Sequence, residues 1–78
     1  MNDKKEKIRE IFAAISPERK NNVRRILSEK FNITVDSAKM NWIYGGKIPE
    51  QNIDKVLEIL KNEAREQSNE ILELIDAI

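Results

Sequence analysis

Arg19, Lys20, Arg24 and Arg25 fall within two turns of a predicted helix, mostly off its apolar face, where they meet water or a charged ligand. Guanidinium and ammonium groups in such a row bind and orient anions. The side chains that carry most catalytic chemistry are missing. The sequence has no cysteine and no histidine, which removes disulfides, thiol nucleophiles, the usual zinc sites and imidazole acid–base work. Carboxylates crowd the last third of the chain, but no pocket or partner group is signalled for an acid–base pair. The expectation is therefore a protein that is not an enzyme and needs no metal or cofactor. Gly45-Gly46-Lys47 lacks the preceding strand and the remaining glycine spacing of a phosphate loop. Asn32-Ile33-Thr34 matches a glycosylation sequon that stays silent without export.

The chain that positions these cations has 78 residues, enough for one compact domain. Apolar types make up 40% and charged types 36%, too hydrophobic for a disordered chain and too charged for a membrane span. No apolar run approaches about 18 residues, and MNDKKEKIRE lacks the apolar core of a secretion signal, so a soluble cytoplasmic protein with no membrane partner is expected. A domain this short buries only about 60–65% of the surface its unfolded chain exposes, which makes self-association a natural supplement to stability. Fourteen basic residues balance fourteen acidic ones, but unevenly. Residues 1–48 hold eleven cations against six carboxylates, and residues 49–78 hold three against eight. A basic surface is thus joined to an acidic segment with a different task.

Helical periodicity organises the whole chain, and no segment alternates as a strand does. Ile8, Ile11, Phe12 and Ile15 predict a first helix of roughly residues 4 to 15. Ser16 caps a second helix starting at Pro17, with Glu18 at the positive end of its dipole and Val23, Ile26, Leu27 and Phe31 as its apolar face. Asn32 and Thr34 break the pattern, the first by tolerating a left-handed turn and the second by capping a third helix from Val35. Ile33 and Ala38 are spaced as a hydrophobic staple, and Ala38, Trp42 and Gly45 share a face, so Trp42 is assigned to the core. Gly45-Gly46 ends that helix, and Pro49 opens another.

From Ile53 onward the positions Ile53, Leu57, Leu60, Ala64, Gln67, Ile71, Leu74 and Ile78 follow a four-three heptad spacing. Val56, Leu72 and Ile75 widen that stripe, so it can pack either on another chain or on its own domain. Gln67 at a seam position would favour one register, and Ser68-Asn69 beside it could divide the helix in two.

Two helices joined by a short turn, the second ending in Trp and then Gly-Gly and Ile-Pro, make up the stretch ILSEKFNITVDSAKMNWIYGGKIPE. It resembles the helix-turn-helix of small phage repressor and Cro-like regulators, and that of the lambdoid phage activator whose C-terminal helix drives tetramer formation. The resemblance covers roughly residues 23 to 57. It aligns Ser28 with the small residue of the second helix and Ile33 with the apolar turn position. Asn32 replaces the family's turn glycine, Arg24 replaces its glutamine, and Trp42 falls one residue late.

The resemblance implies double-stranded DNA as partner, with residues 35–44 as the recognition helix in the major groove. On regular helical spacing, Ser37, Lys39, Met40, Ile43 and Tyr44 point away from Ala38 and Trp42, with Asp36 at the N-terminal end. Arg24, Arg25 and Lys47 flank them as phosphate contacts. Val35 can touch only a thymine methyl group, and Asp36 can accept from cytosine but repels phosphate. The expected architecture is all-α, with four or five helices. Residues 1–62 form the helix-turn-helix domain, and residues 63–78 form a C-terminal helix continuous with it or packed on it. Leu60, Ala64, Gln67, Ile71, Leu74 and Ile78 are the expected oligomer seam. The rival expectation is a protein-binding adaptor or antirepressor that keeps this fold, favoured by the zero net charge, Val35, Asp36 and an exposed Met40-Ile43 pair.

Overall fold

A computed structural model describes residues 3–76 of the chain, with side chains described as far as residue 69. The described residues form helices joined by short turns, with no strand among them. Helix α1 (Asp3–Ala14) places Ile8 and Phe12 one turn apart on its buried face. Two residues later the Ser16 hydroxyl accepts the Arg19 N–H at 3.3 Å, and Pro17 opens helix α2 (Pro17–Phe31). Helix α2 stops where the sequence leads it to stop. Asn32 takes the left-handed conformation, φ 56° and ψ 48°, and its N–H bonds the Ser28 carbonyl. The Ser28 hydroxyl donates to the Ile33 carbonyl, so the turn is tied from both its backbone and a side chain. Thr34 then accepts the Ser37 N–H at 3.0 Å and starts the short helix α3 (Val35–Ser37).

The next seven residues depart from the expected regular helix. Ala38–Tyr44 is wound as a π-helix, with hydrogen bonds that skip five residues rather than four. Ala38, Trp42 and Ile43 are all buried within it, Ile43 at 2% exposure. On an α-helix Ile43 would stand roughly 140° round from Ala38, which is why sequence spacing assigns it to the outer face. A π turn closes at the fifth residue and brings Ile43 back under Ala38, inside the core. The expected Ile43 contact with a ligand is corrected accordingly, as is the expected exposed Met40-Ile43 pair: Met40 is exposed and Ile43 is not.

The π segment ends at Gly45 for a steric reason. A Cβ there would lie 2.6 Å from the Asn41 carbonyl oxygen and 2.8 Å from that of Met40, closer than packed atoms approach. Gly46 supplies a positive φ of 67°, and the Lys47 N–H returns to the Asn41 carbonyl at 2.9 Å. Helix α4 (Glu50–Asp76) then runs unbroken through Ser68-Asn69 for 27 residues, about 40 Å of rise, which resolves the choice between one helix and two.

Helix α4 packs chiefly on α1 and also on α2. One core results, built from Ile8, Phe12, Ile15, Val23, Leu27, Ala38, Trp42, Ile43, Ile48, Ile53, Val56 and Leu60. The heptad stripe is therefore spent, in its first half, on the chain's own domain. Leu60, expected at an oligomer seam, is fully buried inside the protomer and out of reach of a second chain, and Ala64 packs against the same core. Gln67, expected to set register between chains, instead accepts the Ser16 N–H at 2.7 Å, supplying an acceptor to the N-terminus of α2. Ile71 and Leu74 lie on the last turns of α4, beyond the described side chains, and Ile78 lies outside the described residues.

Candidate nucleic-acid interface

Residues 35–44 are open to solvent in part, with Ala38, Trp42 and Ile43 buried. Val35 (39% exposed), Met40 (59%) and Tyr44 (43%) are the large apolar side chains left open, and the Asp36 carboxylate is almost fully solvated. Ser37 and Lys39 are half-buried. Asn41 is exposed as well, its amide 3.4 Å from the Ser37 hydroxyl. An α-helical period sets Asn41 beside the buried face, so spacing alone passed over it. The cue available in the sequence was its chemistry, since an exposed amide both donates and accepts and suits an adenine edge. The outer strip of the element is thus Asp36, Met40, Asn41 and Tyr44, backed by Trp42, which stacks at a tilt on Phe31 with centroids 5.1 Å apart. Tyr44 is held from behind by an edge-on contact with Phe12 at 5.8 Å.

The flanking cations are not equivalent. Arg24 is half-buried between α2 and the start of α3. One of its terminal nitrogens donates to the Asn21 side chain at 3.1 Å, and the other lies 3.9 Å from Asp36. Its Nε–H is buried and has no acceptor among the described residues. Arg25 is exposed and bonds the Asn22 amide oxygen. Lys47 is exposed just past the π segment. Lys39 comes together with Lys20, Arg24 and Tyr44 around a surface cleft of about 240 Å³. Sequence reasoning placed Lys20 off the apolar face of α2 without assigning it to this group. Only the crossing of α1, α2 and the π segment brings it beside Lys39, with its ammonium 5.9 Å from the Phe12 ring centre.

The acidic half of the chain is occupied elsewhere. Arg19 donates to Glu63 at 3.0 Å and to Glu66 at 2.9 Å, and Asn22 also donates to Glu63, whose carboxylate is buried. Lys4 pairs with Asp54 at 2.6 Å, and Arg65 lies 3.8 Å from Glu58. Among the described residues no carboxylate comes within ion-pairing distance of Lys20, Lys39 or Lys47. The acidic helix therefore compensates the far side of α2 and leaves the side facing residues 35–44 positive.

The fold places the chain in the all-α class. No protein-family model matches the chain, and neither a curated protein nor a solved structure does. No helix among the described residues is long and apolar enough to cross a membrane.

Proposed function

We propose that this chain is a DNA-binding transcriptional regulator of the phage or mobile-element type, in which α2 and residues 35–44 act as a helix-turn-helix. The observation that carries the reading is the open strip Asp36, Met40, Asn41 and Tyr44 beside Lys20, Arg24 and Lys39, with Glu63 and Glu66 of α4 engaged by Arg19. A helix of this width enters the major groove, where Asn41, Asp36 and Met40 meet base edges. Lys20, Arg24, Lys39 and Lys47 displace counterions from the backbone and give affinity that does not depend on sequence. The π turn also supports the resemblance: its extra residue takes up the one-position delay of Trp42. The last heptad positions of the sequence, Ile71, Leu74 and Ile78, join two protomers and so double the phosphate contacts at paired half-sites.

Fluorescence anisotropy on a labelled random duplex tests this. Log affinity should fall against log salt with a slope of about −3 to −4 per protomer, and Lys39→Glu or Lys47→Glu should each reduce affinity and flatten that slope by about one. Affinity indifferent to salt and to both substitutions refutes the reading. The exposed Val35 and Met40 favour a second reading, in which the same face holds a protein. Under it, Met40→Glu would remove the activity and Lys47→Glu would leave it unchanged.

A further inference from the structure

The cleft between α1, α2 and the π segment has a composition that its neighbours lack. Lys20, Arg24 and Lys39 contribute three positive charges to its lining, and no carboxylate lines it. Two adjoining clefts on α2 both include Glu18. Three cations brought to one concavity repel one another, and an anion between them relieves that repulsion. Arg24 adds a second observation. Its buried Nε–H lacks an acceptor, an unusual state for a buried donor, and its Asp36 partner stands at 3.9 Å, too far for a hydrogen bond. A modest turn of the guanidinium would offer that N–H to an oxyanion in the cleft. Phe12 and the half-open ring of Tyr44 wall the other side with apolar surface. A volume of about 240 Å³ admits a phosphate with a small substituent and is below the usual size of a pocket for a whole drug-sized molecule.

We propose that this cleft is a binding site for one phosphate group, held by Lys20, Arg24 and Lys39 with its organic substituent lying on Tyr44. The chemistry is shared by a free phosphorylated small molecule and by a nucleic-acid backbone. The first source is independent of the DNA reading above, and the second rests on it.

The isotope-labelled 78-residue chain titrated with inorganic phosphate and with a nucleoside 5′-monophosphate, at constant ionic strength in chloride, separates the cases. The expected result is saturable amide shifts concentrated at residues 20, 24, 39 and 44, with the nucleotide binding tighter than phosphate. Lys20→Gln and Lys39→Gln should each weaken binding about three- to tenfold, and Lys30→Gln on the exposed end of α2 should not. Unchanged amide spectra elsewhere in the two cleft variants verify that they fold. A short duplex that moves the same four residues and is displaced by phosphate assigns the cleft to a backbone phosphate. A duplex that binds without moving them, or fails to bind while phosphate still does, assigns it to a free ligand. Shifts scattered over all the lysines, or shifts that survive both cleft substitutions, overturn the proposal.

Discussion

Asp36 is the one acidic group on the exposed strip that would face a polyanion, and it stands against Arg24. Its own repulsion of phosphate and its claim on Arg24 act in the same direction. Asp36→Asn should therefore strengthen binding to random duplex by about three- to tenfold, read by anisotropy at fixed salt. An unchanged or weaker affinity would show that Asp36 points toward a base it needs. Glu63 has the opposite character. It is a buried carboxylate held by Arg19 and Asn22, and removing it takes the acceptor from the Asn22 amide and one of two carboxylates from Arg19. Glu63→Ala should cost about 2–4 kcal/mol in urea denaturation. Glu66→Ala, at the solvent side of the same guanidinium, should cost under about 1 kcal/mol. Neither carboxylate could be singled out from sequence, because the acidic residues of α4 look alike until α2 is laid across them.

At the scale of elements, boundaries were legible where a single residue enforces them. Ser16-Pro17, Asn32 and Thr34 cap or stop helices through their own side chains and dihedrals, and each does so in the structure. The π winding of residues 38–44 was not legible. Periodicity presumes about 100° per residue, and nothing local in AKMNWIY announces a wider turn. The wider turn is decided by the core, which takes Ala38, Trp42 and Ile43 together, a set that an α-helix would spread over about 140° and the π turn draws closer. Gly45 is the local residue that permits the segment to close. Gly45→Ala should destabilise the fold by about 1–3 kcal/mol in thermal or urea unfolding, because the new methyl meets two backbone oxygens that cannot move aside. A neutral Gly45→Ala would mean that the close approach is absent in solution.

For the whole molecule, the question is what the length of α4 is for. Ile53, Val56, Leu60, Glu63 and Gln67 of α4 contact the domain, and the heptad positions Ile71, Leu74 and Ile78 follow them in the sequence. A chain ending at Ser68 keeps the contacts of Ile53, Val56, Leu60, Glu63 and Gln67 with the domain. If the last heptad positions join protomers, it should sediment as a monomer at concentrations where the full chain sediments as an oligomer. Equal sedimentation of the two would remove self-association from the last turns of α4. Charge follows the same division of labour. The net charge is zero over the chain, but the helices segregate it, with Asp54, Glu63 and Glu66 of α4 against Lys4 and Arg19, while near residues 35–44 Arg24 faces Asp36 and Lys20, Lys39 and Lys47 have no carboxylate at ion-pairing distance among the described residues.

The all-helical class, the caps at Ser16 and Thr34, the turn at Asn32 and the core role of Trp42 were determined by the sequence alone, because each rests on forces acting between residues a few positions apart. The inward turn of Ile43, the use of Leu60 and Gln67 within the protomer, and the meeting of Lys20 with Lys39 were decided only by the tertiary structure. Each depends on which surfaces the helices bury against one another, and local periodicity contains no term for a partner that lies far along the chain.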